Sequence, residues 1–424
     1  MQTVIEGRGV IMTERSYLII DLKSFYASCE CVMRGLDPMT TDLVVADEER
    51  GRGTICLAVS PSLKAKGVRN RCRLFEIPSH LHYITATPRM QLYLNYAAEI
   101  YSLYLDYFSK EDIFVYSVDE AFIDLTGYRM IYKRTPRETA KFLLREIERR
   151  LGLPATCGIG TNLYLAKIAL DIQAKHAPDR IGPGIARRLQ RLGLRDMGAI
   201  AHAPFRKLRQ AFGIDACILY DHAWGREPTT LAEIRAYRPA THSVATSQIL
   251  PRDYTFQEGR IALIEMADQL ALDLTARRIV TKSVTLGIGY SRRQDLPLPL
   301  SGGTARLPES TNASSRLTAA LLDLYQAEVS PVYSIRRICL TANDVEPETV
   351  QEISLFAPAK DDVRESARQR SILNIQAKHG KNALLRGTDY LEAATRRERN
   401  AQIGGHKAYG NQETVLPRKN LPAV

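Results

Sequence analysis

Two β-prone apolar runs that end in acidic residues place the strongest constraint on how this chain folds. The first run, 17–20, stops at Asp21, and the second, 113–118, stops at Asp119 and Glu120. An unpaired carboxylate buried at a strand end is costly, so three such acids need a compensating charge. A divalent cation supplies it, and carboxylate oxygens suit Mg²⁺, which keeps several waters and takes one or two carboxylates together with substrate phosphates. The pattern therefore predicts a magnesium site built from strand ends.

The charge balance of the 424 residues points to a polyanionic partner. Fifty-eight Lys and Arg against 47 Asp and Glu give a formal charge of +11, which fits nucleic acid first and an anionic membrane surface second. Apolar residues at 45% and charged residues at 25% are typical of a globular protein and exclude collagen-like or fully disordered chains. No apolar stretch approaches the roughly 18 residues that cross a bilayer, so no membrane partner is expected.

Cysteine usage and the N-terminus both favour a reducing cytoplasm. The seven cysteines are irregularly spaced and contain no Cys-x-x-Cys pair, so neither a zinc ribbon nor a disulfide framework is indicated. Residues 1–15 lack the apolar core of a signal peptide. We therefore expect a cytoplasmic protein.

Alternating strand-like and helix-like segments divide the chain into two α/β units. The first extends to about residue 175, and a small helical region then continues to Gly225. Residues 226–243 are polar, contain two prolines and are interpreted as a linker. The second unit carries predicted helices at 256–277 and 314–328 and predicted strands at 283–290 and 334–341. After it the chain becomes basic and uneven.

Two motifs resemble the Y family of DNA polymerases, most closely its UmuC-like branch in Gram-positive bacteria. The first is DLKSFYASC at 21–29, in which an aspartate-ended strand precedes two adjacent aromatic residues and alanine. The second is SVDEAFIDL at 117–125, a Ser-x-Asp-Glu hairpin. They occur in the family's order and separation, and the similarity extends, patchily, from about Tyr17 to Phe356. The pairing of the two motifs makes the resemblance specific.

The resemblance implies an α+β multidomain fold, a right-hand polymerase with palm and small fingers, a helical helix-hairpin-helix thumb, a linker and an α/β little finger. The expected bounds are 1–175 for the palm and fingers, 176–225 for the thumb, 226–243 for the linker, 244–345 for the little finger and 346–424 for a C-terminal tail.

The resemblance also implies how the three acids act. Asp21 and Asp119 would ligate two Mg²⁺ ions, Glu120 would ligate the catalytic ion, and the backbone carbonyl of Leu22 would add a ligand. Two ions about 4 Å apart support in-line phosphoryl transfer, in which one activates the attacking hydroxyl and the other steadies the leaving pyrophosphate. As an isolated dipeptide, Asp119-Glu120 would more simply cap a helix or form salt bridges.

Phe25, Tyr26, Lys64 and Lys175 are the residues that the resemblance places against the incoming nucleotide. Tyr26 matches the steric gate, a ring that clashes with a ribose 2′-hydroxyl and so selects deoxynucleotides. Both lysines would reach the triphosphate, and the N–H groups of residues 24–26 would attract phosphate because they begin a helix. The alternatives are that the two rings are core residues of that helix and that the two lysines are solvated.

Separate segments are expected to hold the DNA. Gly182 and Gly184, followed by an arginine-rich helix that includes Arg187, resemble a helix-hairpin-helix whose N–H groups approach a phosphate. In the little finger, five arginines would meet backbone phosphates and give sequence-independent, salt-sensitive binding: Arg252, Arg292, Arg293, Arg336 and Arg337. The alternatives are a plain glycine turn and an ordinary solvated face.

A short segment near the C-terminal side of the little finger predicts a protein partner. Residues 352–356 resemble the pentapeptide that docks bacterial polymerases onto the sliding clamp, with Ile353, Leu355 and Phe356 as its apolar contacts. The family prefers glutamine at the first position, where this chain has Glu352. The alternative is that the apolar residues pack back on the little finger. A recombinase or an accessory subunit is a further partner that the sequence leaves open.

Two departures from the family bear on activity. The family often has tyrosine near position 61, where this chain has Ser60 and Pro61. Between Lys175 and Gly182 the chain lacks the palm strand and the tryptophan-containing connection of its relatives. Their loss predicts a palm sheet without one edge and a shorter tether to the thumb.

We therefore expect a low-fidelity, template-directed DNA polymerase that acts in translesion synthesis and DNA damage tolerance. It would transfer a nucleotide from a dNTP to the primer 3′-hydroxyl of primed template DNA and release pyrophosphate. Two alternatives stay open. One is a palm-domain nucleotidyl cyclase, which also uses paired carboxylates and two metals. The other is a catalytically impaired DNA- or clamp-binding accessory protein.

Overall fold

The computed structural model describes residues 15–174, 189, 192–238, 242–291, 301–348 and 359–409. They belong to two compact units: the first extends to Tyr237 and includes the segment from His406, and the second is Arg238–Gly405. Each unit has its own sheet and its own hydrophobic core. No helix within these ranges is both long and apolar enough to cross a membrane.

The first unit is built on a four-stranded antiparallel sheet in the order β5-β6-β1-β7. Its strands are β1 (Tyr17–Leu22), β5 (Ile113–Val115), β6 (Glu120–Asp124) and β7 (Ala155–Gly160). β1 is buried along its whole length, since it lies between β6 and β7 and its side chains pack against helices on the sheet faces. The predicted acid-ended strand is thus central, and the predicted hairpin lies beside it.

The α-helices between residues 25 and 174 are α1 (Phe25–Met33), α2 (Pro61–Ala65), α3 (Met90–Leu105), α4 (Tyr128–Tyr132), α5 (Pro136–Leu151) and α6 (Leu163–Ile168), which continues as a π-helical segment, Ala169–Ala174. Three of these helices, α2, α5 and α6, begin at a residue whose side chain caps the helix: Ser60, Thr135 and Asn162. Thr135 and Glu138 form a reciprocal capping box at the start of α5. Short 3₁₀ helices occur at Glu48–Arg50, Leu74–Glu76 and Lys110–Asp112.

Helix α6 packs directly on β7 because two glycines remove side chains from that strand. A Cβ at Gly158 would lie 2.1 Å from the Ala166 carbonyl oxygen, and a Cβ at Gly160 would lie 2.3 Å from the Ala166 nitrogen. A side chain at either position would therefore push the helix off the sheet. This close approach fixes the position of Lys167, the next residue of α6.

A small second sheet, in the order β3-β2-β4, stands where the sequence predicts the fingers. Its strands are β2 (Leu43–Val45), β3 (Ala58–Val59) and β4 (Ile84–Ala86). A strand is predicted over 54–59, but only its last two residues form strand β3. The Leu57 N–H still donates to the Val45 carbonyl of β2, whereas the Cys56 N–H donates to the Cys72 carbonyl, both at 2.8 Å.

In the region predicted as the thumb, the described residues from 192 onward form three short helices: α7 (Met197–Ala201), α8 (Phe205–Phe212) and α9 (Asp215–Ala223). They enclose a small core that includes Ile200, Leu208 and Ala216. The predicted glycine hairpin at 182–184 lies outside the described residues. The palm–thumb junction at 176–181 lies outside them too.

The segment 226–243, predicted to be a linker, contains a helix. This helix, α10 (Leu231–Ala236), is capped by Thr230 and Glu233, and Leu231 packs with Tyr17 and Ile19 of β1. The prediction missed it because six residues show almost no periodicity. The Thr-x-x-Glu capping box at 230–233 was the available signal.

The second unit is a sheet in the order β10-β9-β11-β8, with β12 paired to β9. Its strands are β8 (Ser243–Tyr254), β9 (Ile279–Tyr290), β10 (Ser301–Thr311), β11 (Ile335–Asn343) and β12 (Glu346–Pro347). The predicted helices are confirmed as α11 (Phe256–Arg277) and α12 (Ser314–Glu328). Both helices pack on the sheet through a core that includes Leu263, Leu270 and Leu317.

The C-terminal region contains more structure than its uneven sequence predicts. Its elements are α13 (Ala359–His379), a 3₁₀ helix (Gly387–Tyr390), α14 (Arg396–Asn400), β13 (Gln402–Ile403) and β14 (His406–Lys407). α13 packs against α11, where the buried Gln369 amide donates to Thr275 Oγ1 at 2.9 Å and to the Asn312 carbonyl at 3.0 Å. Polar contacts, rather than a stripe of apolar side chains, hold this region in place. Its hydrophobic pattern therefore did not predict the helices.

Candidate active site

The antiparallel register brings the three predicted acids to one end of the sheet. Asp21 of β1 is the direct partner of Glu120 of β6, and directly opposite residues lie about 4.5–5.5 Å apart at Cα with side chains on the same face. The N–H of Leu22 donates to the Asp119 carbonyl at 3.1 Å. Asp21 is 6% exposed, whereas Asp119 and Glu120 are half-buried. One hundred residues of chain therefore separate acids that are neighbours in space.

The turn before β6 holds Asp119 in a fixed place. The N–H groups of Tyr116 and Ser117 both donate to the Glu120 carbonyl, at 2.9 and 3.1 Å. The Ser117 hydroxyl donates to Asp119 Oδ1 at 2.7 Å. The serine of the Ser-x-Asp-Glu motif therefore orients the aspartate that follows it.

Lys167 is a charged partner of this site that the sequence analysis did not select. Its Nζ lies 2.7 Å from Glu120 Oε1 and 3.6 Å from Asp171 Oδ1. Its surroundings in the sequence, Ala166-Lys167-Ile168-Ala169, do not distinguish it from a solvated lysine. Lys175 lies outside the described residues.

The donor atoms at this site are of the type that magnesium takes. Three carboxylates and the Leu22 carbonyl supply hard oxygens. Within the described ranges, no three His, Cys, Asp or Glu side chains are grouped closely enough to hold a metal ion by themselves, and Glu120 is turned onto Lys167. Magnesium does not need such a closed cage, since it keeps waters and shares ligands with substrate phosphates. The residues therefore fit a cation that is completed by substrate.

Tyr26 lies beside the acids on the first turn of α1. Its ring stacks on Tyr93, with centroids 4.5 Å apart and planes inclined by 19°. Burial raises the pKa of Tyr26, and the nearby Asp119 charge raises it further. Phe25, by contrast, is 3% exposed and is a core residue. Of the two adjacent aromatic residues, Tyr26 is the one that is partly exposed and that a substrate could contact.

A buried ion pair holds the ring beneath Tyr26. The Tyr93 hydroxyl donates to Glu30 Oε1 at 2.7 Å, and Arg89 donates to both Glu30 oxygens at 2.9 and 2.6 Å. Burial alone would raise the pKa of Glu30, but the hydrogen bonds from Arg89, Arg34 and Tyr93 outweigh it and lower the pKa. Glu30 therefore stays charged and keeps Tyr93 in register with the gate position.

Lys64 also reaches the start of α1. Its Nζ donates to the Ser24 hydroxyl at 2.8 Å, at a residue whose backbone is left-handed (φ 48°) and begins the helix. Ser60 caps the next helix, with its hydroxyl accepting from the Leu63 N–H at 3.4 Å, and Pro61 occupies the first turn. The two residues that replace the family's tyrosine thus have a structural task here.

The three described little-finger arginines differ in their surroundings. Arg252 pairs with Glu258 at 2.5 Å and lies over the Tyr254 ring, and Arg336 is 3.7 Å from Asp253. Arg337 is exposed on the sheet face opposite the core. The other predicted contacts lie outside the described residues: Gly182, Gly184, Arg187, Arg292, Arg293, Ile353, Leu355 and Phe356.

A basic face on α8 is a second feature that the sequence analysis missed. Arg206, Lys207 and Arg209 are exposed, while Leu208 and Phe212 on the same helix are buried. The alternation in FRKLRQAF was the available signal.

Comparison with known proteins agrees with this arrangement. Residues 20–171 match the impB/mucB/samB family, and residues 241–355 match the C-terminal domain of that family. The chain is 31% identical over 427 positions to the putative UV-damage repair protein UvrX of Bacillus subtilis (strain 168), covering 93% of this chain and 98% of UvrX. It is 27% identical to DNA polymerase IV 2 of the same organism, covering 93% of this chain and all of that one.

A solved structure shares the fold. The Y-family DNA polymerase chimera Dbh-Dpo4(243-245)-Dbh superimposes with a TM-score of 0.57 at 17% identity, over 78% of this chain and 99% of the chimera. The likeness supports the predicted arrangement of palm, fingers and little finger.

Proposed function

The chain belongs to the impB/mucB/samB family of Y-family DNA polymerases, and from this premise we propose how its residues carry out translesion DNA synthesis. The enzyme is a DNA-directed DNA polymerase that acts in DNA damage tolerance. The register that sets Asp21 opposite Glu120, with Asp119 beside them, is the observation that carries the assignment. It brings the strand-end acids together near Tyr26, the candidate gate ring.

In this proposal Asp21, Asp119, Glu120 and the Leu22 carbonyl hold two Mg²⁺ ions. When bound, such ions lower the pKa of an attacking hydroxyl and neutralise charge on the phosphates. Ser117 keeps Asp119 oriented through its hydrogen bond. The sheet places Asp21 and Glu120, and the turn before β6 places Asp119, so their backbones would be positioned before substrate arrives.

The start of α1 is the proposed seat of the triphosphate. The first N–H groups of a helix have no partner within the helix, and Lys64 brings a positive charge to the start of α1. Tyr26 stacks on Tyr93 and presents its ring beside Asp119. A ring fixed in this way would exclude a ribose 2′-hydroxyl. Lys175 is retained as a further triphosphate contact, by family resemblance alone.

DNA would be held by both units. We retain residues 1–175 as palm and fingers, 176–225 as thumb and 244–345 as little finger. The exposed basic face of α8 adds Arg206, Lys207 and Arg209 to the thumb's predicted glycine hairpin. In the little finger Arg337 is already exposed, whereas Arg252 and Arg336 would have to exchange an internal acid for a phosphate. Such contacts predict affinity that falls steeply with salt.

The finer partner assignments rest on the sequence. The sliding clamp would bind through Ile353, Leu355 and Phe356, and the sequence leaves open whether a recombinase or an accessory subunit takes part. Low fidelity follows from small fingers that cover little of the nascent pair. Misincorporation as rare as that of a replicative polymerase would contradict it.

Primer extension tests the proposal directly. Wild-type protein with Mg²⁺, a primed template and dNTPs should extend the primer on undamaged and lesion-bearing templates, and Asp119→Ala should not. An inactive wild type that still binds DNA as tightly as Asp119→Ala would favour the accessory-protein alternative. Production of a cyclic nucleotide without extension would favour the cyclase.

A further inference from the structure

The Lys167 side chain lies against the carboxylate of Glu120. Its ammonium is 2.7 Å from Glu120 Oε1, 3.6 Å from Asp171 Oδ1 and 5.6 Å from the centre of the Tyr116 ring. The Lys167 side chain is 26% exposed and that of Glu120 is 12% exposed. A pair this well covered is screened less by water and salt than a surface pair.

The fold imposes this contact. α6 starts at Asn162, whose side chain accepts from the Leu165 N–H at 2.8 Å, and it is pressed onto β7 at Gly158 and Gly160. Because the backbone of α6 is held against the sheet, only the side chain of Lys167 can change its position. The position of α6 therefore keeps the Lys167 ammonium near the end of the sheet, where Glu120 lies.

Glu120 has two competing demands if the proposed function is correct. It must ligate a divalent ion, and its oxygen must also accept from Lys167. We propose that Lys167 is an internal counter-ion that holds Glu120 until a divalent cation displaces it, and so sets the cation concentration at which the site fills. The inference rests on the proposed function only in making Glu120 a metal ligand.

The neighbours of Lys167 suit such an exchange. Glu120 lies beside Asp119 and opposite Asp21, and like charges at this spacing repel unless a positive charge offsets them. Lys167 supplies that charge before the cation binds. Once displaced, it still has Asp171, its i+4 neighbour, as a partner. Before the exchange Lys167 pairs with Glu120. After it, the cation pairs with Glu120 and Lys167 pairs with Asp171, so each charge keeps a partner of opposite sign.

Mn²⁺ titration of the full-length protein, without DNA or nucleotide, tests the role through the electron paramagnetic resonance signal of free Mn²⁺. Lys167→Met should bind Mn²⁺ about fivefold more tightly, the effect of losing one competing, partly exposed ion pair. Lys141→Met removes the same charge from an exposed position on α5 and should leave the affinity unchanged. Lys167→Gln is the substitute if Lys167→Met lowers the melting temperature.

The Glu120→Gln background separates direct competition from general electrostatics. There, Lys167→Met should no longer alter Mn²⁺ affinity, because the shared carboxylate is gone. Unchanged or weaker Mn²⁺ binding by Lys167→Met in the wild-type background would overturn the proposal. Equal tightening with and without Glu120 would overturn it as well.

Primer extension distinguishes this inference from the proposed function. Lys167→Met should lower the Mg²⁺ concentration that gives half-maximal extension by a similar factor. If the wild type extends no primer, the polymerase assignment fails while the Mn²⁺ comparison still decides the role of Lys167. If extension occurs and Mn²⁺ affinity is unchanged, the counter-ion role alone fails.

Discussion

In the first unit Asp21, Asp119 and Glu120 meet at the end of a sheet, whereas in the second unit Glu265 and Asp268 lie inside a helix interface. Asp119 and Glu120 are half-buried, and Glu120 pairs with Lys167. Glu265 and Asp268 are 1% and 4% exposed. Acids of the same chemistry thus have opposite surroundings within one chain.

The second cluster is compensated by the C-terminal region. Asp268 accepts from Arg396 at 2.5 Å, from the Ser314 hydroxyl at 2.8 Å and from Arg386. Glu265 accepts from the Thr395 N–H at 2.9 Å and from its hydroxyl at 3.1 Å. Apart from Ser314, these partners of the two acids lie more than 100 positions further along the chain.

The difference shows what each cluster is for. Acids surrounded by donors within the protein have little capacity left for a ligand, so the second cluster holds α14 and its neighbours against α11. In the proposed exchange, the acids at the sheet end keep capacity for cations because Lys167 can leave Glu120. Compensation from within the protein, rather than burial alone, separates a structural acid from a candidate catalytic one.

Asp21→Asn gives the largest expected effect and tests the first cluster. Loss of one metal-ligating oxygen charge should lower the rate of primer extension at least about a thousandfold. Thermal unfolding should stay within about 1 kcal/mol of wild type, because the amide keeps the shape of the side chain. Activity near that of wild type would remove Asp21 from the site.

Asp268→Ala tests the second cluster and should act on stability instead. Removing one partner of a buried, hydrogen-bonded ion pair costs roughly 3 kcal/mol or more, because the arginines are left uncompensated. Denaturant unfolding of the full chain measures the loss. Asp323→Ala, at an exposed position on α12, is the matched control. Equal stability of the two variants would show that the network contributes little.

Tyr26→Ala tests whether the ring beside the first acid cluster selects the sugar of the incoming nucleotide. Without the ring, incorporation of ribonucleotides relative to deoxynucleotides should rise roughly 10- to 100-fold. Tyr26→Phe keeps the ring on Tyr93 and should leave discrimination close to wild type. Single-nucleotide incorporation kinetics provide both ratios. Unchanged discrimination in Tyr26→Ala would mean that another group acts as the gate.

The smallest expected effect concerns two glutamates of α11 with opposite titration. Hydrogen bonds from Arg252 and from the Thr255 N–H lower the pKa of Glu258 to about 2, whereas burial raises the pKa of Glu265. Glu258 therefore stabilises the fold above its ordinary pKa of about 4.5, and this contribution is lost as the pH falls toward 2. For Glu265 the sign is reversed, so its contribution is lost as the pH rises through its folded pKa.

Melting temperature against pH checks these signs. Glu258→Gln should lose up to about 1 kcal/mol near neutral pH and nothing near pH 2, since its ion pair is partly exposed. The stability advantage of wild type over Glu265→Gln should shrink as the pH rises. Parallel curves for wild type and both variants would contradict the assigned shifts.

Much of the first cluster could be predicted from sequence. Apolar strands ending in Asp21 and Asp119 are local patterns, and the family resemblance joined them before any geometry was known. Lys167 was missed because a lone lysine on a short helix has no distinguishing local signal. Its role depends on Gly158 and Gly160, which let α6 approach the sheet.

The second cluster could not have been found in the same way. Glu265 and Asp268 look like surface residues of an amphipathic helix, and their partners belong to a basic stretch that lacks periodicity. The helix in the predicted linker was missed for a related reason. Leu231 is buried by contacts with β1, which is distant in sequence, and its neighbours in sequence do not indicate this burial.

The sequence by itself determined the family, the order of the domains and the three acids of the candidate active site, because strand runs and motif spacing are local properties of a chain. Only the tertiary structure decided which acids are compensated, where Lys167 lies and how the C-terminal region is held. Those features depend on contacts between residues that are distant in sequence, and the cost of burying charge is set by such contacts rather than by the identity of any one residue.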